Sequence, residues 1–481
     1  MKRKHVWQRF MALCLAMVLV LGLSACGGKS EGEEAKPQGE TAGTTEGEGT
    51  GGGEDKVTIR WVAAGWSMND KANKIIQKWN EIHPEVEVEY IELSSSVDET
   101  FLANLDTMIS GGEVVDVVYL EQSDIYKRAI SGGVLPMDEY IQAAGDDYED
   151  MYGSLAVKMF SYDGHVIGVP YAGNTFKVFY NKTMTDAANI QIPENWSYEE
   201  FLETAKKLND PENGVYGCVW PFNWADTVHI MAENSGWSMI KEQEDGTIAP
   251  NFDDEILKKC MQDLYNLSAV DKVSPDLATI KAESLNRRWA LANQQAAMIV
   301  DGPYTLVYLQ NYMYDDPGAG ELEFELGVTN IPYMDENGKD VSYYRVNAGF
   351  YIPKSSAHPA EAYEFEKFVC NYCAEEGANY MPVFKDADMK LATKTFTEYT
   401  AADGEQHTEV YSQEVAEGAV AVDFESHLVR YNYNPEYADK VSLMTTLYDE
   451  QYALFMNGEM EIDDWVSMMQ EMGAMELSNA N

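Results

Sequence analysis

Basic residues are scarce in this chain. Lys and Arg number 34 against 81 Asp and Glu, a formal net charge of −47 over 481 residues. A nucleic-acid partner needs a basic face to neutralise phosphates, and docking on anionic lipid head groups needs the same. Neither fits. The charge favours a monomer held apart from its neighbours. Cysteine is also sparse, six in all. Cys14 and Cys26 lie near the start, and Cys218 and Cys260 are isolated. Cys370-Asn-Tyr-Cys373 lacks the second pair that a zinc site requires. It falls on an expected helix, either as a buried reduced pair or as a disulfide. The seven His form no HExxH, and neither a Walker loop nor a Gly-x-Ser-x-Gly elbow occurs. No cofactor or metal is expected. Long hydrophobic runs are missing too. The apolar run Phe10 to Leu23 is shorter than the roughly 20 residues a permanent span needs.

That run does fit a signal segment, with Lys2, Arg3, Lys4 and Arg9 as its positive start. Leu23-Ser24-Ala25-Cys26-Gly27 resembles a bacterial lipobox, which makes residues 1–25 a lipoprotein leader and Cys26 the lipid-bearing mature N-terminus; the alternative is an ordinary signal peptide. Residues 26–56 are rich in Gly and Glu, with nothing aliphatic beyond Ala, and cannot fold alone. They read as a tether of roughly 30 Å r.m.s. reach. The match Gly47-x-Gly49-x-x-Gly52 has no strand before it and no helix after it, so it is compositional.

The part from Val57 onward is too long for one ordinary core, and two lobes are expected. Val57 to Ala63 reads as a buried strand. Ala72, Ile75, Ile76, Trp79 and Ile82 then repeat at helical spacing, and Pro84 ends the element. Val86 to Tyr90 alternates as a strand, Leu102, Leu105 and Ile109 mark a helix, and Val114 to Leu120 is an almost wholly apolar strand. The order βαβαβ predicts a parallel sheet covered by helices. At Asp163-Gly164 a tight turn begins a strand that runs through Pro170, meets a small polar interruption at Ala172–Thr175, and resumes at Phe176–Tyr180. Such a broken pair suits a chain passing between lobes. Ser197-Tyr-Glu-Glu200 is a capping box opening a helix. Asn337-Gly338 predicts a hairpin between strands at 326–331 and 341–346, and the C-terminal region reads as helical.

Several of these stretches, in this order, resemble the family 1 extracellular solute-binding proteins of ABC importers, the relatives of maltose-binding protein. They are Asn80-Glu-Ile-His-Pro-Glu-Val-Glu-Val, Ile109-Ser-Gly-Gly-Glu-Val-Val-Asp-Val, Gly133-Val-Leu-Pro-Met-Asp138, and the crossover from Asp163 to Lys182. Further on come Pro193 with Trp196, Ala296-Ala-Met-Ile-Val-Asp-Gly-Pro-Tyr304 with Tyr304 in a Trp position, and Asn347-Ala-Gly-Phe-Tyr-Ile. The resemblance implies an α/β, two-lobe periplasmic-binding-protein-like fold of type II. Each lobe would be a mainly parallel sheet flanked by helices, with a hinge and a cleft between them. The implied segments are 57–172 and 347–388 for the N-lobe, and 173–346 and 389–481 for the C-lobe. It also implies a protein that does no chemistry and that, anchored outside the cell membrane, hands a carbohydrate to a permease.

Site candidates follow from chemistry. A sugar ring offers an apolar C–H face to aromatic rings and a rim of hydroxyls to carboxylates and amides, and ligands in open α/β sheets bind beyond the carboxyl ends of strands. Trp66, Glu121, Gln122, Tyr171, Asn174, Trp220, Phe222, Trp224 and Asp301 all fall at strand ends or breaks. Trp196 reads as structural. A phosphorylated ligand would instead call for Lys177, Arg287 or Arg345 in the cleft; a peptide or polyamine ligand, or an anchored carbohydrate-active enzyme, are the other readings.

Overall fold

The computed structural model describes residues 56–94, 99–316, 320–376, 381–384, 387–422 and 437–479. The leader, Cys26, the tether up to residue 55 and the side chain of Trp66 lie outside what is described. In chain order the strands that carry the architecture are β1 (Val57–Ala63), β2 (Val86–Glu92), β3 (Val117–Glu121), β4 (Val169–Asn174), β5 (Lys177–Asn181), β6 (Met298–Asp301), β7 (Leu326–Asn330) and β8 (Arg345–Tyr351).

The first sheet has the order β2-β1-β3-β8-β4. β1 runs parallel to β2 and β3, because helix α1 (Gly65–Ile82) returns the chain across the sheet between β1 and β2. β8, arriving late from the other lobe, is antiparallel to β3 and β4. The core beneath it contains a cluster of aromatic rings. Trp61 of β1 packs edge-on against Tyr90, Phe350 and Phe365, and Tyr119 packs on Tyr171 and Phe350.

The second sheet corrects the expectation of mainly parallel pairing. Its order is β6-β5-β7, with β5 antiparallel to both neighbours. Parallel pairing occurs where the segment 216–219 lies along β6 and the residues before it, through Tyr216 with Ala296 and Val219 with Ile299, and in the bridge of Ser197 with Tyr333. One face of this sheet carries a second core that includes Trp196, Phe201, Trp220, Phe252, Tyr448 and Trp465. Trp196 donates from Nε1 to the Asn330 carbonyl at 2.8 Å, which accounts for its structural role. The capping box is present in full: Ser197 and Glu200 each bond the other's backbone N–H ahead of the helix Tyr198–Leu208.

Asp163 and Gly164 both have positive φ, 51° and 78°, and tie 161–162 to 165–166 as a hairpin. The passage between lobes is tighter than the sequence suggests. β4 continues through Asn174, and only Thr175 and Phe176 separate it from β5. Small polar residues are accommodated because β4 is an edge strand of the sheet. Gly173 donates outward to the Met381 carbonyl and Ala172 bridges Pro382. Pro170 is tolerated for the same reason, since an edge strand has no ladder donor to lose on one side.

The hairpin expected at Asn337-Gly338 is not formed. Asp335 Oδ1 accepts from the backbone N–H groups of Asn337 and Gly338 and closes a local turn. The flanking strands β7 and β8 then join different sheets, so this stretch is a second passage between lobes. The C-terminal helices are interrupted by a short hairpin, 398–400 with 406–408. Cys218, Cys260, Cys370 and Cys373 are buried free thiols. Among the described residues no helix is long and apolar enough to cross a membrane, and no cluster of side chains could hold a metal ion.

Candidate functional site: the seam between the sheets

Strand direction decides which residues meet. β3 and β4 end where β8 begins, because β8 is antiparallel to both. On the other side, β6 and the segment 216–219 are parallel and end together, where β5 begins. All of these ends face one seam. It gathers Glu121, Asn174 and Arg345 from the first sheet, and Trp224, Asp226, Asp301 and Tyr304 from the second.

Glu121 closes β3, pairing Ala348 in register. Its side chain reaches solvent, yet desolvation holds its carboxyl above the ordinary range, with Arg345 pulling it down and Asp124 and Asp226 pushing it up. The carboxyl is thus accessible from solvent yet crowded by its neighbours. Arg345, at the start of β8, reaches over to Asp226 with Nη1 to Oδ2 at 3.2 Å. Asp449, on the helix Ala438–Met456, belongs to the same cluster. Desolvation pushes it up to about 6, against His229, Lys127 and Arg345.

The opposite wall is aromatic. Trp224 follows the segment 216–219 and is half-buried. Tyr304 follows β6 after the tight turn Gly302-Pro303, where an added methyl on Gly302 would come within 2.3 Å of the Tyr304 ring and 3.0 Å of Asn174 Oδ1. Trp224 and Tyr304 are 6.5 Å apart between centroids, and Tyr304 and Tyr308 are 6.4 Å apart. One helical turn beyond Tyr304, Tyr308 is an exposed aromatic.

The nine expected residues separate clearly. Glu121 and Trp224 face the seam with accessible surface. Asn174 lies in the seam, buried, and its Oδ1 has no hydrogen-bond partner among the described residues. Five others are taken up by packing or buried bonds, and the side chain of Trp66 lies outside the described residues. Gln122 turns inward and donates from Nε2 to the Met159 carbonyl at 2.5 Å. Tyr171 lies in the first core, against Tyr119 and Phe350. Trp220 is buried, donating from Nε1 to the Thr227 carbonyl at 3.0 Å, and Phe222 is buried beside it in the second core. Asp301 is wholly buried and bonded to Arg287 and Arg288. The Trp66 backbone begins α1 at the end of β1.

Tyr304, Tyr308, Asp226 and Arg288 join the site although they are not among the nine sequence candidates. Tyr304 carried a signal, its place after a Gly-Pro turn at a strand end. The cations proposed for a phosphorylated ligand all have other partners. Lys177 is buried, with Nζ on Asn330 Oδ1 at 2.6 Å and the Ala421 carbonyl at 2.5 Å, and burial brings its pKa down to about 8. Arg287 pairs with Asp301 and Arg345 with Asp226.

Comparison with known proteins gives this arrangement a family. Residues 65–370 match the family described as bacterial extracellular solute-binding protein. The chain is a member of that family. The solute-binding protein is 26% identical over 272 residues to an uncharacterised lipoprotein of Streptomyces antibioticus, covering 54% of this chain and 56% of the relative. It is 26% identical over 259 residues to the maltotriose-binding protein of Pyrococcus abyssi, covering 52% and 51%. The chain thus spans about half the length of these curated relatives. In structure it is similar to an ABC substrate-binding protein from Listeria monocytogenes in complex with cycloalternan. The TM-score is 0.69 at 18% identity, covering 88% of this chain and all of the other. That likeness identifies the two-lobe periplasmic-binding-protein fold.

Proposed function

We propose that this solute-binding protein captures a neutral carbohydrate in the seam between its sheets and delivers it to an ABC permease. The observation that carries the reading is the pairing of a three-ring wall, Trp224, Tyr304 and Tyr308, with the accessible carboxylate of Glu121 beside the same seam. Rings stack on the C–H face of a sugar, and a carboxylate accepts from its hydroxyls. The curated relative that binds maltotriose by name, and the neighbour solved with cycloalternan, support the class of solute. A phosphorylated polyol is disfavoured because Lys177, Arg287 and Arg345 are already engaged, while Glu121, Asp226 and Asp449 add negative charge.

Ligand touching both walls favours the closed arrangement, because its affinity differs between open and closed forms. No bond is made or broken. Cys26 carries the lipid that holds the monomer at the outer face of the cytoplasmic membrane, and residues 27–56 give it reach to the permease; a lipoprotein among the relatives supports that attachment.

Thermal unfolding of the full chain against maltotriose, cycloalternan, glycerol 3-phosphate, peptides and polyamines tests the reading. A solute at a hundred times its Kd adds about 2.7 kcal/mol to stability. A shift with a neutral saccharide recovered intact is expected. A shift confined to phosphates or amines removes the carbohydrate assignment, and a cleaved saccharide removes the binding-protein reading.

A further inference from the structure

Asp301 has a role that its burial does not suggest. It ends β6 with no surface exposed, yet its partners lie directly behind the ring wall. Arg287 Nη2 donates to Asp301 Oδ1 at 2.7 Å. Arg288 places Nε 2.7 Å from Oδ2 and Nη2 3.4 Å from Oδ1. The backbone N–H of Gly302 donates to Oδ1 at 2.8 Å, which fastens the turn that leads to Tyr304. From this one anchor the two guanidiniums fan out over the aromatic rings. Arg287 Cζ lies 3.8 Å from the centre of Trp224, and Arg288 Cζ lies 4.2 Å from Tyr308 and 5.1 Å from Tyr304.

The geometry points to Asp301, Arg287 and Arg288 as positioning residues that hold Trp224, Tyr304 and Tyr308 in their stacking orientation before any solute arrives; this rests on the carbohydrate-binding reading above. Trp224 stands on a loop that leads into a short 3₁₀ turn, Ala225–Val228, and a half-buried ring on a loop loses rotamer freedom when a sugar stacks on it. Fixing the ring beforehand removes that cost from binding. A guanidinium is planar and matches an aromatic face, so it both fixes the ring and covers one side, leaving the other side for a ligand. The arginines are themselves fixed at both ends. Asn286 caps their helix, its side chain accepting from the backbone N–H of Arg288 at 3.0 Å, and Asp301 holds their tips. Burial alone would push the Asp301 carboxyl up, but the two guanidiniums hold it below the ordinary carboxylate range. The two guanidiniums therefore favour the charged form of the anchor.

The test compares Arg287→Met, Asp301→Asn, Trp224→Phe and Trp224→Ala in the full chain. Its first readout needs no solute. The emission of Trp224, isolated as the difference between each protein and its Trp224→Phe counterpart, should shift to longer wavelength and become more accessible to acrylamide in both Arg287→Met and Asp301→Asn. Emission unchanged in Arg287→Met overturns the proposal. Arg287→Met leaves Asp301 paired with Arg288, so it keeps the test decisive if Asp301→Asn does not fold. The second readout is calorimetric affinity for maltotriose and cycloalternan. Arg287→Met is expected to weaken the bound probe at least tenfold. It should add nothing to the loss caused by Trp224→Ala, because both act through one ring. Additive losses overturn it. If neither saccharide binds the unaltered chain, the carbohydrate reading fails on its own, and the emission comparison still decides whether the anchor positions Trp224.

Discussion

Two carboxylates in this protein are equally hidden and behave in opposite ways. Asp301 and Glu366 are both 0% exposed. Asp301 meets two guanidiniums and is held ionised. Glu366, on the helix Pro359–Glu375 in the first core, has no hydrogen-bond partner for either oxygen among the described residues. Desolvation alone drives its pKa well above the ordinary value, which favours its neutral form. Burial sets how much is at stake, and the partner sets the sign. The ionised group organises a binding wall. The unpaired one is a pH-dependent liability beside a core built mainly of aliphatic and aromatic side chains.

The comparison can be broken at either end. The largest effect is expected from removing the counter-charge. Asp301→Asn leaves two buried guanidiniums without their acid and should destabilise the fold by about 3–5 kcal/mol, read from urea midpoints at constant slope. An effect below 1 kcal/mol would show that the aromatic rings alone satisfy the arginines. Next comes Trp224→Ala, which should cost about 2–3 kcal/mol of saccharide binding while the melting temperature of the unliganded protein moves little. Loss of fold with loss of binding would mark Trp224 as core instead of wall.

Glu366→Gln sharpens the other end. A carboxyl with a raised folded-state pKa binds more protons folded than unfolded. Stability therefore falls as pH rises above about 4.3. The wild type should lose up to roughly 1.4 kcal/mol per pH unit across that interval, and the glutamine variant should not. Equal slopes from pH 5 to 8 would mean that Glu366 is solvated after all. Asp449 gives the smallest effect. Its pKa near 6 lies above the ordinary 3.8, so the same sign applies between those values, damped because its side chain reaches water. Asp449→Asn should flatten the stability profile between pH 4 and 6, as followed by urea midpoints.

The two walls of the seam also differ in how legible they were. Glu121 could be read directly, because the apolar run Val117–Leu120 announces a buried strand and the first acid after it must stand at the strand's end. Gln122 shows the limit of that logic. One residue further on, the helix has begun and its side chain points the other way. Trp220-Pro-Phe-Asn-Trp224 reads as one aromatic cluster, but Trp220 and Phe222 enter the second core and only Trp224 reaches the seam. Asp301 is expected from the sequence to offer its carboxylate to a ligand, yet the structure buries it completely. Nothing local to Asp301 says that Arg287 and Arg288 will close on it.

From the chain alone, the alternation of strand and helix, the capping box at Ser197, the family and the two-lobe plan were all available. These depend on local periodicity and on short motifs whose geometry is set within a few residues. Tertiary structure alone decided that β5 runs antiparallel to its neighbours, that β7 and β8 belong to different sheets, and that one buried aspartate anchors two arginines behind three rings. Those outcomes depend on which strand ends meet and on contacts between segments far apart in sequence, and a linear pattern carries no record of either.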